Sequence, residues 1–375
     1  MRFLLLALTV GGGVAVAIAT STSVLANDDG VSHAVFVETN ATNGNAILVY
    51  DRSSGGALTQ VASYATDGFG GVANGAAVDP LASQGALTYD PAHGLLLAVN
   101  AGSNTVSVFS ADGDRLRLRQ TIASGGLFPA SIAVHGRFAY VLNAGGDGSI
   151  SGYRIAGGRL RAIEGSTRSL GLGNTNPPFF LSSPGQVGFT PDGSKLVVTT
   201  KMAGTIEVFG LSASGRPSDT PAVTKSVGPV PFAFAFDEVG RLIVTEAGSS
   251  SLTSYKIKSD GSLTVVDASV PDGQAATCWI TTARGFFFVA NTGTANLSGY
   301  AIDDAGALSL IGGSKVAATT GGGPIDMATS GDGRFLYAES GGTGTINEFR
   351  VSSDGALSAL GVVPAVHGLE GIAAS

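Results

Sequence analysis

Acidic side chains and one histidine stand where short apolar segments of the chain begin or end. Glu246 closes RLIVTE, Asp326 lies at the start of IDMATS, and His367 and Glu370 belong to HGLEGIAAS at the end of the sequence. Carboxyl groups held together in a site of low dielectric raise one another's pKa, and one of them then serves as a general base. We therefore expect Glu246, Asp326, Glu370 and His367 to act as catalytic acid and base groups.

Five further residues are candidates for ligand contacts. Gln186 begins an apolar strand, Lys201 is the cation close to the acidic set, and Asn291 ends a strand. Phe179 and Phe180 follow two prolines in the longest insertion of the chain, where they would form a lid or an apolar wall.

Each candidate also has a purely structural explanation. Asn and Glu side chains at strand ends often hold the following turn by hydrogen bonds to its backbone. Polar groups at the start of inner strands also line water-filled channels, and His367 is equally an exposed loop histidine. The two phenylalanines would also pack against neighbouring strands. These alternatives remain open from the sequence alone.

Composition excludes several functional classes. The formal net charge is −7, with 21 Lys and Arg against 28 Asp and Glu, which argues against a nucleic-acid partner. Cys278 is the single cysteine, so no internal disulfide forms. The chain contains no G-x-S-x-G, P-loop or H-E-x-x-H motif, and its four histidines have no metal-ligand spacing. We expect neither a metal nor a cofactor, with a Ca²⁺ bound by carboxylates in the channel mouth as the open alternative.

The sequence repeats, and the repeat predicts the fold. Seven segments share a strand, a small turn and a second strand that ends in an aromatic residue. These closing aromatics are Tyr50, Phe109, Tyr153, Phe209, Tyr255, Tyr300 and Phe349. Their spacing is that of a four-stranded propeller blade, and no segment of residues 27–375 has a sustained helical period. We predict an all-β protein with one domain, a seven-bladed β-propeller.

A further strand precedes each repeat except the first. The missing strand is LEGIAAS at residues 369–375, so we expect it to pair beside residues 34–39 and to close the ring with strands from both ends of the chain. In such a meander the inner-strand starts and the long loops at residues 67–84 and 170–186 share one mouth of the channel.

The first 26 residues have the pattern of a secretory signal. Arg2 precedes an apolar run, which ends in VLA before Asn27. We expect residues 1–26 to be cleaved, with an uncleaved anchor as the alternative, and residues 27–375 to form the propeller in a secreted or periplasmic location. After cleavage we expect a monomer without membrane contact.

Two segments carry a family resemblance. LAVNAGSNTVSVF and YVLNAGGDGSISGY resemble propeller repeats of the Y-V-T-N type. The longer unit around FTPDGSKLVVTTKMAGTIEVF is similar to the seven-bladed lactonase family, which includes 6-phosphogluconolactonase-like and carboxymuconate-cyclase-like proteins. The family usually enters an inner strand through Pro-Arg-His or Pro-His. The matching positions here follow Pro129, Pro184 and Pro231 and hold neither Arg nor His.

The resemblance implies hydrolysis or cyclisation of a small lactone-type substrate at the channel mouth. The alternative is a non-catalytic extracytoplasmic propeller that binds a ligand, glycan or protein, because function does not follow from fold.

Overall fold

The computed structural model describes residues 33–375, which form seven antiparallel sheets. The predicted signal segment, residues 1–26, lies outside the described residues. Blades one to three contain β1 (Ala34–Glu38), β2 (Ala46–Arg52), β3 (Leu58–Ala65), β4 (Leu87–Asp90), β5 (Leu95–Asn100), β6 (Thr105–Asp112), β7 (Arg115–Ala123), β8 (Pro129–His135), β9 (Phe138–Asn143), β10 (Ser149–Ala156), β11 (Arg159–Ala162) and β12 (Arg168–Ser169).

The remaining blades repeat the same meander. Blades four and five contain β13 (Pro184–Phe189), β14 (Lys195–Thr200), β15 (Thr205–Gly210), β16 (Ala222–Lys225), β17 (Pro231–Phe236), β18 (Leu242–Glu246), β19 (Ser251–Ile257) and β20 (Leu263–Pro271). Blades six and seven contain β21 (Thr277–Ala283), β22 (Phe286–Asn291), β23 (Asn296–Ile302), β24 (Leu308–Leu310), β25 (Ala318–Thr319), β26 (Pro324–Thr329), β27 (Phe335–Ser340), β28 (Thr345–Val351) and β29 (Leu357–Pro364), and β30 (Ile372–Ala374) is the last strand.

The inner strands form a closed ring. Each blade runs from an inner strand to an outer one, and consecutive inner strands contact one another in the order β30, β4, β8, β13, β17, β21, β26 and back to β30. Two short strands extend this plan, since β12 pairs with β10 and β25 pairs with β23. Residues of the inner and middle strands are buried on both faces because each blade packs between two neighbours, whereas outer strands such as β3, β20 and β29 are largely exposed. The predicted seven-bladed propeller is confirmed.

Closing tyrosines form hydrogen bonds between neighbouring blades. The hydroxyl of Tyr50 donates to the carbonyl oxygen of Pro364 at 3.0 Å, and that of Tyr300 donates to the carbonyl oxygen of Val270 at 3.1 Å. In each case the acceptor belongs to the outer strand of the preceding blade. A tyrosine therefore buries its ring in one blade and satisfies its hydroxyl on the neighbour.

The last strand completes blade one. Strand β30 pairs with β1 in antiparallel register, with Val35 opposite Ala374 and Val37 opposite Ile372. The backbones of Glu38 and of residues 370 and 371 exchange two further hydrogen bonds of 3.0 Å. Pairing of this kind leaves no exposed sheet edge inside the ring. The predicted closure by the C-terminal strand is confirmed.

Residues 33–375 contain no helix long and apolar enough to cross a membrane. The one helical element in this part of the chain is a short 3₁₀ turn at Ile311–Gly313.

Candidate functional site

The loop between blades one and two enters the central channel. Its last residues, 78–85, are here called the channel segment. The hydroxyl of Ser83 donates to the carbonyl of Ala130 in blade three at 2.7 Å, and the indole of Trp279 in blade six donates to the carbonyl of Ser83 at 2.9 Å. The backbone amide of Gln84 donates to Gly185 in blade four at 3.0 Å. Because these partners lie around the ring, the segment crosses the mouth and covers the channel.

Five carboxyl groups meet beneath this segment and are here called the acid cluster. Glu38 ends β1, Asp326 lies in β26, Glu339 lies near the end of β27, Glu370 precedes β30, and Asp79 belongs to the channel segment. None of the five side chains is more than 4% exposed. The cluster therefore occupies the junction between blades seven and one, where the ring closes.

Asp79 and Glu370 form a buried carboxyl pair, and Asp79 Oδ2 and Glu370 Oε2 have no other hydrogen-bond partner among residues 33–375. Burial raises the pKa of both groups; for Glu370, whose pKa lies well above its usual range, the charge of Asp79 adds to this effect. The Ala82 amide donates to Asp79 Oδ1 at 2.7 Å, and the Leu81 amide donates to Glu370 Oε1 at 2.8 Å. We infer that the pair holds one proton, which Glu370 donates to Asp79. This proton links the channel segment to the closing strand.

The pKa of Asp326 lies near neutral pH. Burial raises its pKa to about 7, and the nearby charge of Asp79 acts in the same direction. Amides of Met327, at 2.8 Å, and Gly85, at 3.4 Å, donate to its two oxygens and stabilise the anion. A general base is most effective when its pKa is near the working pH.

Glu38 and Glu339 complete the cluster. Burial raises the pKa of each well above its usual range, and for Glu339 the charges of Asp326 and Glu38 add to this effect. Asn45 donates to Glu38 at 2.7 Å, whereas neither oxygen of Glu339 has a side-chain or backbone partner within bonding geometry. A negative charge on Asp326 therefore disfavours ionisation of Glu339.

Lys201 is a buried cation on the other side of Asp79. Its ammonium donates to Ser183 Oγ at 2.8 Å and to the carbonyl of Ala82, and it lies 4.8 Å from the ring centre of Phe180 and 5.0 Å from that of Phe232. Burial lowers its pKa to about 8, and the negative charge of Asp79 opposes the shift. The ammonium is therefore the group that can stabilise negative charge next to the cluster.

Asp326, Glu370, Lys201 and Phe180 are thus brought together, while other predicted site residues are placed elsewhere. Glu246 accepts hydrogen bonds from the Gly228 amide at 2.7 Å and from the hydroxyls of Ser226, at 2.9 Å, and Ser251, at 3.0 Å, all within blade five and its link. Glu246 therefore stabilises the link that leads into blade five, and it forms no hydrogen bond with a member of the acid cluster.

Two other candidates form hydrogen bonds within or between blades, and a third is exposed to solvent. Asn291 accepts from Thr277 at 2.7 Å and donates to Ser298 at 2.8 Å, which fixes the turn of blade six. Gln186 accepts from the Phe234 amide at 2.7 Å and so joins blades four and five. His367 is exposed in the link before β30.

Phe179 points away from the cluster, with 47% of its surface exposed. Its backbone forms a parallel bridge with Asn74, so the long loops at residues 67–84 and 170–186 contact each other over the mouth.

The sequence analysis did not identify Asp79. Its signal was a short apolar stretch, VDPLASQ, in an otherwise glycine-rich loop. Such a stretch is typical of a loop that is buried, and the carboxyl inside it then needs partners.

The geometry does not indicate a metal centre in the described part of the chain. Within residues 33–375, no group of three or more His, Cys, Asp or Glu side chains is arranged to hold a metal ion. The thiol of Cys278 lies near Lys201, and burial raises its pKa, which keeps it protonated.

Comparisons place this fold among known structures. The sequence matches no protein-family model. It also matches no curated protein sequence. A Lactobacillus plantarum protein of known structure is similar with a TM-score of 0.70 and 17% identity, covering 92% of this chain and 100% of its own. A candidate 6-phosphogluconolactonase from Bacteroides fragilis is similar with a TM-score of 0.68 and 17% identity, covering 93% and 99%.

A third similar structure is the periplasmic gluconolactonase PpgL of Pseudomonas aeruginosa. Its TM-score is 0.67 at 18% identity, and the match covers 92% of this chain and 99% of that protein. The predicted resemblance is confirmed at the level of architecture, and the chain has the seven-bladed propeller fold of 6-phosphogluconolactonase-like proteins.

Proposed function

We propose that the protein is a lactonase-like hydrolase that opens a small lactone at the mouth of the channel. One observation carries the proposal: Asp326, with a pKa of about 7, and Lys201, with a pKa of about 8, are both buried and both lie close enough to Asp79 to interact with its charge. A base and a cation with pKa values shifted towards neutrality are typical of catalytic sites. Proteins that share the fold include a gluconolactonase.

The three groups have complementary roles in ring opening. Asp326 takes a proton from a water molecule as the water oxygen attacks the carbonyl carbon of the lactone. The ammonium of Lys201 donates a hydrogen bond to the carbonyl oxygen, which becomes negative in the tetrahedral intermediate. The Asp79–Glu370 pair supplies its proton to the ring oxygen as the bond between that oxygen and the carbonyl carbon breaks. One lactone and one water thus give one hydroxy acid.

Substrate entry requires displacement of the channel segment. The carbonyl of Ala82 accepts a hydrogen bond from Lys201, which is the position that the proposed mechanism gives to the lactone carbonyl. Movement of residues 78–85 exchanges one carbonyl for the other and opens the cluster to water. The same movement separates Asp79 from Glu370 until the substrate is bound.

The proposed setting is outside the cytoplasm, and the substrate is a small molecule. The signal-like pattern at residues 1–26 supports this setting, and the similar Pseudomonas aeruginosa protein is described as periplasmic. The substrate is proposed to bind a monomer without metal or cofactor.

Hydrolysis of a lactone panel by the purified protein tests the proposal. We expect turnover that falls about 100-fold or more in Asp326→Asn and in Lys201→Met, since each variant removes a group that acts in the transition state. Asp354→Asn is the matched control, because Asp354 lies in an exposed turn of blade seven. Absence of turnover in the wild type, or full activity of both site variants, would refute the proposal.

A binding propeller without catalytic activity is the second candidate. The observation that favours it is the location of open space: a cavity of about 730 Å³ lies at the opposite end of the channel, between turns of blades five, six and seven. Phe236, Arg241, Arg284 and Asp332 are among its lining residues. A ligand that binds there in calorimetry, with affinity lost in Arg284→Ala and retained in Asp326→Asn, would favour this function over hydrolysis.

A further inference from the structure

Large apolar side chains are exposed on the loops that cover the mouth and on the turns beside them. They are Phe69, Val72, Leu127, Phe179, Leu181 and Met202, here called the apolar rim. Phe69, Phe179 and Met202 are 51%, 47% and 63% exposed. Among the exposed large apolar side chains of residues 33–375, every phenylalanine and methionine belongs to this rim. Exposed apolar surface concentrated in this way commonly marks a binding site.

Backbone hydrogen bonds join the part of the rim that contains Phe179, Leu181 and Met202. The Asn74 amide donates to Pro178 at 2.8 Å, and the Phe180 amide donates to Asn74 at 2.9 Å, so the two long loops are joined. The Met202 amide donates to Leu181 at 3.1 Å, which adds the turn of blade four.

The rim continues into the proposed catalytic site. Phe180 covers the ammonium of Lys201, whereas its neighbour Phe179 faces outward. The rim therefore begins directly beside the residue that covers Lys201.

The charges of the two loops decide what kind of substituent fits there. Residues 170–186 contain no charged side chain, and residues 67–84 contain Asp67 and Asp79 without a cation. A phosphate or carboxylate substituent would lose its hydration at this surface without gaining a partner. An aliphatic chain would instead bury apolar surface against phenylalanine, leucine and methionine side chains.

We infer, on the basis of the proposed function, that the substrate is a lactone that carries an aliphatic chain. The ring binds at Lys201, and the chain lies on the apolar rim. Full burial of a methylene group is worth about fourfold in affinity, and a half-open surface gives roughly twofold for each methylene.

Catalytic efficiency across a chain-length series tests the inference. We expect kcat/KM for γ-lactones to rise roughly twofold for each methylene as the alkyl group grows from methyl to hexyl. The double variant Phe179→Ser/Met202→Ser should flatten this dependence. The matched control is Val223→Ser/Val362→Ser, because those valines are 59% and 60% exposed on outer strands away from the mouth.

Calorimetry with the corresponding alkyl γ-lactams separates this inference from the proposed function. Affinity that rises with chain length in the wild type and the control, and not in the rim variant, supports the inference even if no lactone is hydrolysed. Equal kcat/KM and equal lactam affinity for all chain lengths would overturn it while hydrolysis itself stands. A rise in rate that begins only when the long lactones form micelles would also overturn it, and would assign the rim to a lipid surface.

Discussion

Replacement of Asp326 by asparagine should stabilise the protein, and the gain should depend on pH. Asp326 has a pKa of about 7 in the folded protein and 3.8 as its ordinary value, because burial penalises its charged form. Below pH 3.8 the carboxyl is neutral in both the folded and unfolded states, so it costs nothing. Between these two values the folded state binds the additional proton, and stability therefore falls as pH rises.

The magnitude follows from the difference in pKa. Each pKa unit corresponds to about 1.4 kcal/mol, so ionisation of Asp326 costs the folded state on the order of 4 kcal/mol above pH 7. Asparagine keeps an oxygen for the Met327 amide and removes the charge. The variant should match the wild type near pH 4 and exceed its free energy of unfolding by up to that amount near pH 8.

Urea unfolding at a series of pH values measures this difference. Asp354→Asn is the control, because the pKa of the exposed Asp354 is lowered by the Ser352 hydroxyl and its contribution is constant above about pH 5. A free-energy difference between Asp326→Asn and the wild type that is the same at all pH values would refute the proposed protonation of this carboxyl.

Two further predictions concern closure of the ring and a close backbone contact. Ile372→Ala should lower the free energy of unfolding by about 2–4 kcal/mol, because the side chain is buried in the closing strand. The control Val362→Ala, on an exposed outer strand, should lower it by less than about 0.5 kcal/mol. Equal losses of the two variants in urea unfolding would contradict the closure. Gly185→Ala should lower the free energy of unfolding by about 2–3 kcal/mol, since its Cβ would stand 2.0 Å from the carbonyl oxygen of Phe232. The control Gly210→Ala has open space around its Cβ and should change the melting temperature little. A Gly185→Ala protein as stable as the wild type would contradict the contact.

The fold was predictable because the blade is a local unit. The repeat length, the closing aromatics and the strand before each repeat indicated seven blades, and the one missing inner strand was found at the end of the chain. The register of Ile372 opposite Val37 agrees with that count. Strand and turn patterns are short-range properties, which a single sequence carries well.

The site was predictable in part, because the path of a long loop is not a short-range property. The positions at strand ends predicted Asp326 and Glu370 as site residues, and Lys201 was predicted because it is the cation close to the acidic set. The same strand-end pattern selected Glu246, whose carboxylate instead bonds to its own blade. The apolar stretch around Asp79 indicates burial, but it does not indicate that the loop crosses the channel and brings Asp79 to Glu370.

The pH dependence of lactone hydrolysis tests the central claim most directly. We expect kcat/KM of the wild type to rise with pH through an apparent pKa of about 7, as Asp326 becomes the general base, and to fall again near 8 as Lys201 loses its proton. In Asp326→Asn the rise of kcat/KM with pH should disappear together with most of the activity. An Asp326→Asn protein with the same profile and rate as the wild type would contradict the assignment of the reaction to this site.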